Sequence, residues 1–199
     1  MSTTRLEAYS DAVIAIVITI MVLELRPPDG ASPQALATLA PTFLAYVLSF
    51  IYLSIYWNNH HHLLHATEHI NGRVMWANIH LLFWLSLVPF STAWLSEYPG
   101  TPLTSSVYGV NLFMAGLAYF ILTRTLKAIH APDSRLNQLT ASAVKENIST
   151  GLYLAAIFSS VLGWVAVAYG IYVLVALIWV MPDRRYEALV AADMERNKE

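Results

Sequence analysis

Long apolar segments separated by short polar breaks dominate the pattern of this chain. A bilayer core needs about 20 mostly apolar residues per helix, so the pattern predicts an all-α membrane protein with six transmembrane helices. The predicted spans are Leu6–Leu25, Thr42–His61, Val74–Ser96, Val107–Ala128, Ala143–Leu162 and Trp164–Met181. They make one transmembrane domain over residues 1–182, followed by a short charged tail over residues 183–199.

Proline and glycine mark most of the breaks between these segments. The last two segments, however, lie in one uncharged run from Ile148 to Met181, which must be divided. We place the turn at Gly163, which would make a tight hairpin. A turn at Tyr169-Gly170 is the alternative.

The distribution of positive charge predicts the orientation in the membrane. Of the 11 lysines and arginines, all except Arg26 lie on or beside the face that would hold both termini. Cytoplasmic loops of membrane proteins carry an excess of lysine and arginine. Both termini are therefore predicted to be cytoplasmic.

Composition narrows the function classes. Charged residues make up 12% of the chain, about half of what a soluble domain carries. The net charge is −2 and no basic block occurs, so nucleic acid is not an expected partner. The chain has no cysteine, which excludes disulfides and thiolate chemistry. No hydrolase, P-loop or dinucleotide motif occurs, so we do not expect an enzyme or a cofactor.

The first predicted helix carries an apolar stripe with one hydroxyl. Ile16, Thr19, Ile20 and Leu23 follow the spacing i, i+3, i+4, i+7. At about 100° per residue they fall on one narrow face of the helix. Such a stripe is what a narrow and mostly hydrophobic pore lining would need.

A polar cluster is expected near the cytoplasmic ends of the first three helices. Asp11 borders an uncharged run and must be paired or face water, because a carboxylate in the membrane is costly. Asn and His side chains of the second helix, within residues 57–62, and His80 of the third are its predicted partners. Either this network packs the helices, or it relays protons or senses pH. Adjacent histidines diverge by about 100° on a helix, so we expect no metal site.

The first helix also carries a recognisable motif. Arg5-x-x-x-Tyr9-Ser10-Asp11, followed by an apolar run that ends in Val-Leu-Glu-Leu, resembles the signature of the transmembrane protein 175 family. That signature has an arginine, three residues and then Phe-Ser-Asp, so Tyr9 keeps the ring and adds a hydroxyl. The similarity extends to Tyr-Trp-Asn-Asn-His-His-His in the second helix and Trp-x-x-Pro-Asp-Arg after the sixth.

The resemblance implies a potassium-permeable channel of the bacterial type, in the plasma (inner) membrane. It implies a homotetramer in the lipid bilayer, with the first helix lining a central pore for monovalent cations. By the same resemblance the constriction is Ile16, with further rings at Ile20 and Leu23, and Thr19 is associated with selectivity. The motif residues would pack the first helix against the second and third. The predicted polar packing network comprises Arg5, Tyr9, Ser10, Asp11, Trp57, Asn58, His61 and His80.

Two alternatives to a potassium channel stay open. One is a proton-leak channel through the same pore, and the other is a membrane scaffold protein that does not conduct. No Thr-Val-Gly-Tyr-Gly filter is present, so selectivity for K⁺ over Na⁺ is expected to be modest. Thr19 also has a structural alternative, because its hydroxyl can bond the carbonyl of Ala15, one turn earlier.

Overall fold

Helices build the fold of this chain, as the segment pattern predicts. The computed structural model describes residues 2–140 and 144–181, and within them the chain forms nine helices and no strand. The helices are α1 (Thr3–Val22), α2 (Pro33–Ala37), α3 (Ala40–His65), α4 (Gly72–Ser86), α5 (Val88–Glu97), α6 (Pro102–Lys127), α7 (Arg135–Leu139), α8 (Val144–Val161) and α9 (Val165–Val180). The all-α prediction is confirmed for these residues. The predicted tail, residues 183–199, lies outside them.

The third predicted segment, Val74–Ser96, is interrupted. It forms α4 and α5, which meet at Leu87. Pro89 stands in the first turn of α5, where a proline is tolerated because the amide hydrogens there have no helical partner. In a continuous helix the same proline would remove one backbone hydrogen bond. The segment still runs as one apolar unit from Gly72 to Glu97.

The turn between the last two helices lies where we predicted it. Gly163 has a φ of +84°, a left-handed conformation that glycine adopts at no steric cost, and it separates α8 from α9. The alternative at Tyr169-Gly170 is wrong, because both residues lie inside α9.

Two apolar clusters hold the helices together, and α3 and α6 contribute to both. The first joins α1 and α4 to these helices, with Ile14 and Leu81 completely buried. The second joins α8 and α9 to them around Tyr172, whose hydroxyl donates to the carbonyl of Ser105 at 2.9 Å. A Cβ at Gly109 would overlap that hydroxyl, so α6 and α9 approach closely only because this residue is glycine.

Three segments of the described chain are long and apolar enough to cross a bilayer, namely Ala40–His65, Gly72–Glu97 and Pro102–Lys127. The apolar α9 is shorter. Helix α1 carries Arg5, Glu7 and Asp11, and α8 begins with charged residues. Many large apolar side chains on these helices are exposed in the single chain, as expected where lipid or other chains replace water.

Candidate functional site

One face of α1 is buried in the core of the chain. Its members recur every three or four residues, the spacing that places side chains on one side of a helix. They are Leu6, Ser10, Ile14, Val17 and Met21. This face packs against α3, α4 and α5, and these contacts fix the rotation of α1 about its own axis.

The opposite face of α1 is exposed, and it carries the stripe identified in the sequence. Ile16, Ile20 and Leu23 are 56%, 47% and 72% exposed. Thr19 lies between them and is also exposed, while Leu23 immediately follows the last residue of the helix. These four side chains therefore contribute little to the packing of one chain. They are available to lipid or to other copies of the protein.

The hydroxyl of Thr19 is bonded to its own helix. It donates to the carbonyl oxygen of Ile16 at 2.9 Å, so the acceptor is Ile16 and not Ala15, the backbone alternative considered above. A hydroxyl has one hydrogen to donate and two lone pairs. Because the hydrogen is used on the backbone, the oxygen keeps its capacity to accept a hydrogen bond from water or to approach a cation.

A chain of buried hydrogen bonds joins α1 to α4 and α3. The Ser10 hydroxyl donates to the carbonyl of Leu6 at 2.8 Å and accepts from Asn78 Nδ2 at 2.9 Å. The side-chain oxygen of Asn78 then accepts from His60 Nε2 at 2.7 Å. This order places the hydrogen of the neutral imidazole on Nε2. The other ring nitrogen, Nδ1, is buried without a hydrogen-bond partner among the described residues.

Two further contacts join α1 to α3, and their side chains are more exposed than those of the buried hydrogen bonds. Trp57 Nε1 donates to Asp11 Oδ1 at 3.0 Å, and His61 Nδ1 lies 2.9 Å from Glu7 Oε1. The two acids are four residues apart, and so are Trp57 and His61. Residues at this spacing lie one above the other on a helix, so the two pairs form successive rungs.

The partner of Asp11 differs from the predicted one. Its carboxylate is half-buried and bonded to the indole of Trp57, not to an asparagine or histidine of α3. Asn58 is exposed in the single chain, so its place in the packing network stays a prediction. His80 was also expected beside Asp11, but its Nε2 accepts from Trp84 Nε1 at 3.0 Å within α4.

The first two motif residues are exposed in the single chain. Arg5 is exposed, and the ring of Tyr9 is 53% exposed. Both were expected in the packing network, and both lie on the face of α1 that points away from α3 and α4. Of the motif, Ser10 and Asp11 make the contacts between helices.

Sequence reasoning missed Glu7, His60 and Asn78 as specific partners. The first carried a signal, because it lies one turn before Asp11 and would share its face. His60 and Asn78 lie in stretches with several polar residues, and the sequence does not indicate which of these residues faces α1. The choice depends on how α3 and α4 are rotated in the fold.

The consecutive histidines of α3 diverge, as the helical geometry predicts. His60 points into the core toward Asn78, whereas His61 reaches Glu7. Within residues 2–140 and 144–181, no group of three or more His, Cys, Asp or Glu side chains could hold a metal ion.

A concave region of about 570 Å³ lies between α3, α6, α8 and α9, part of it open to the surroundings. Aromatic side chains dominate its lining. Two of its hydroxyls are bonded to backbone carbonyls, that of Tyr52 to Tyr172 at 2.6 Å and that of Tyr119 to Asn59 at 3.3 Å. Tyr52 belongs to the second apolar cluster, and Tyr119 packs against the first.

Sequence comparison identifies relatives along nearly the whole chain. Residues 5–89 match the profile of the family described as "Endosomal/lysosomal potassium channel TMEM175". A protein of Chryseobacterium sp. (strain P1-3) named "Potassium channel" is 47% identical over 189 residues, which are 94% of this chain and 97% of that protein. The human "Endosomal/lysosomal proton channel TMEM175" is 33% identical over 144 residues, 70% of this chain and 28% of the human protein. The family and these relatives are ion channels and not enzymes.

A solved structure shares the fold. It is described as the crystal structure of a lysosomal potassium-selective channel TMEM175 homolog from Chamaesiphon minutus. It aligns with a TM-score of 0.75 at 28% identity, over 89% of this chain and 96% of that one. Together with the apolar helices, these relationships identify a multi-pass membrane protein.

Proposed function

Because this chain belongs to the TMEM175 family, we propose that it is a potassium-permeable cation channel, a homotetramer in which four copies of α1 line a central pore. The names of its relatives support a channel for K⁺ or for protons. The geometry of α1 supports the choice of pore-lining helix.

The observation that carries the proposal is the two-sided character of α1. One face accounts for its packing in the chain, whereas Ile16, Ile20 and Leu23 are left exposed. Four such helices around an axis would bring these side chains together as successive rings. At about 1.5 Å per residue the rings extend over roughly 10 Å, a third of a bilayer core of about 30 Å.

A ring of four isoleucines at position 16 closes the pore by dewetting. Water in a narrow apolar collar gives up hydrogen bonds without replacement, so the collar empties and ions cannot pass. Wetting of the same collar opens the pore without a large movement of the backbone. We assign Ile16 as the constriction and Ile20 and Leu23 as further rings.

Selectivity for K⁺ over Na⁺ is modest in this proposal. Isoleucine cannot replace the hydration shell of an ion, and the chain has no Thr-Val-Gly-Tyr-Gly filter whose carbonyls would do so. Thr19 supplies the hydroxyl of the stripe, and its hydrogen is already donated to Ile16. Four such oxygens face a partly hydrated cation with lone pairs, which favours weak discrimination between ions.

We further propose six spans in a bacterial inner membrane, with both termini in the cytoplasm. The asymmetry of lysine and arginine supports this orientation. Single cysteines at Ser2 and Thr101, in a chain without other cysteines, should react with impermeant thiol reagents from opposite sides. Reaction of both from outside intact cells would contradict the topology.

A proton channel through the same pore is the second candidate. The animal relatives are named proton channels, and in this chain His60 is a buried imidazole whose Nδ1 has no partner among the described residues. An imidazole with a vacant nitrogen can accept a proton. This histidine is linked through Asn78 to Ser10 on the buried face of α1, so it would act on protons from behind the pore lining.

Purified protein in liposomes tests the proposal. A K⁺ gradient should drive K⁺ flux when a protonophore carries the compensating charge, and chemical cross-linking should give species up to the tetramer. Flux driven only by a proton gradient would favour the proton channel. Tetramers or smaller species that pass neither ion would favour a scaffold protein.

A further inference from the structure

The exposed stripe of α1 continues beyond the constriction toward the N-terminus. At about 100° per residue, Leu23, Tyr9 and Arg5 all lie within roughly 20° of Ile16 around the helix. All four are exposed in the chain. If Ile16 faces a central pore, Arg5 and Tyr9 face the same axis. Arg5 lies roughly 16 Å from Ile16 along the helix, at the end predicted to be cytoplasmic.

The charge of Arg5 is not compensated within the described residues. Its guanidinium has no ion pair or hydrogen bond there. The acidic residues of the same helix end, Glu7 and Asp11, lie about half a turn away and are held by His61 and Trp57 on α3. The stripe therefore presents a positive charge toward the axis and keeps the negative charges at its back.

We propose that Arg5 makes α1 an electrostatic rectifier: four guanidinium groups form a positive ring at the cytoplasmic mouth that restrains outward flow of cations. This inference rests on the proposed channel function. Ions that leave the cell are drawn from the depleted mouth. Ions that enter come from the opposite mouth, where the exposed Glu24 and Arg26 that follow the stripe carry opposite charges. Outward K⁺ conductance is therefore smaller than inward conductance at equal concentrations.

The size of the effect follows from screened Coulomb interactions. Four unit charges about 10 Å from the axis, in water at about 0.1 M salt, would by themselves lower the local K⁺ concentration about threefold, and the carboxylates of Glu7 and Asp11 behind them reduce this depletion. At about 1 M salt the Debye length shortens to about 3 Å, and the depletion falls to about 1.1-fold. The rectification should therefore be strong in dilute salt and nearly absent in concentrated salt.

Excised inside-out patches, in which the orientation of the channel is preserved, test this with symmetrical KCl. In wild type, outward conductance should be smaller than inward at about 0.1 M, by less than about threefold, and nearly equal to it at about 1 M. Arg5→Gln should remove the difference, and Arg5→Lys should retain it. Arg73→Gln is the matched control, because Arg73 is an exposed arginine of the same membrane side that lies on α4. It should leave the ratio unchanged.

A chemical version of the test avoids differences in assembly between variants. Arg5→Cys is made in the cysteine-free chain and treated from the cytoplasmic side. A cationic methanethiosulfonate should restore the wild-type ratio, and an anionic one should raise outward conductance above inward. Labelling without a change of current, or a rectification ratio that Arg5→Gln does not alter, would overturn the proposal. Absence of any K⁺ current through assembled wild-type protein would instead contradict the channel function, and this inference with it.

Discussion

The two faces of α1 differ in what holds them in place. The buried face is fixed by apolar contacts and by the hydrogen bonds that run from Ser10 to Asn78 and His60. The exposed face carries Ile16 and Leu23, which are 56% and 72% exposed in the single chain. The buried face therefore stabilises the single chain. The exposed face is available for contact with ions, lipid or other copies of the chain. Substitutions on the two faces should have separable effects.

The largest effect should come from the buried face. Asn78→Leu removes the acceptor of His60 Nε2 and the donor to Ser10. Two buried polar groups then lose a partner at about 1–3 kcal/mol each, so the free energy of unfolding should fall by roughly 2–6 kcal/mol. Denaturant titration in detergent measures this. Asn58→Leu is the matched control on the exposed side of α3 and should change stability by less than about 0.5 kcal/mol. Equal stability of the two variants would mean that the hydrogen-bond chain does not anchor α1.

On the exposed face, Ile16→Asn should change conduction and spare the fold. Four amides wet the collar, and a reduction of the barrier by about 1.4 kcal/mol raises K⁺ flux about tenfold, with weaker discrimination among cations. Liposome flux assays measure it at matched protein content. Ile16→Met keeps an apolar side chain of similar volume and should stay near wild-type flux. If properly assembled Ile16→Asn behaves like wild type, the constriction lies at Ile20 or Leu23, or α1 does not line the pore.

A smaller effect on stability is expected from the exposed hydrogen bond between Trp57 of α3 and Asp11 of α1. Trp57→Phe retains an aromatic ring but removes the indole hydrogen that Asp11 accepts at 3.0 Å. A hydrogen bond of this kind contributes about 0.5–1.5 kcal/mol, so stability should fall by that amount while ion selectivity is retained. Trp76→Phe provides the control, since Trp76 is 72% exposed on α4. A change in selectivity without a loss of stability would place Trp57 in the conduction pathway.

The smallest effect should come from Thr19→Val. The substitution keeps the shape and removes the oxygen, so the permeability ratio of K⁺ to Na⁺ should fall by about twofold, or roughly 0.4 kcal/mol. Reversal potentials in mixed K⁺ and Na⁺ solutions measure it, and Thr19→Ser should stay close to wild type. Unmoved reversal potentials would assign Thr19 a structural role through its bond to Ile16.

Periodicity in the sequence was sufficient for the elements and for the exposed stripe. The length of the apolar runs predicted the helices, and the i, i+3, i+4, i+7 spacing selected four residues that the structure leaves exposed. The division of the third segment at Leu87 was missed, although Pro89 inside an otherwise helical run is a signal for a kink or a break.

The sequence by itself determined three features. The length of the apolar segments determined the all-helical architecture, the conformational freedom of glycine determined the turn at Gly163, and the spacing of apolar residues determined that α1 has two different faces. Only the tertiary structure decided which polar groups meet. Neighbouring residues on α3 point in directions that differ by about 100°. Rotation of α3 about its own axis by that angle would therefore turn a different polar residue toward α1 and α4. The packed apolar faces set that rotation. They turn His60 toward Asn78 and Trp57 toward Asp11, and they leave Asn58 and Arg5 outside.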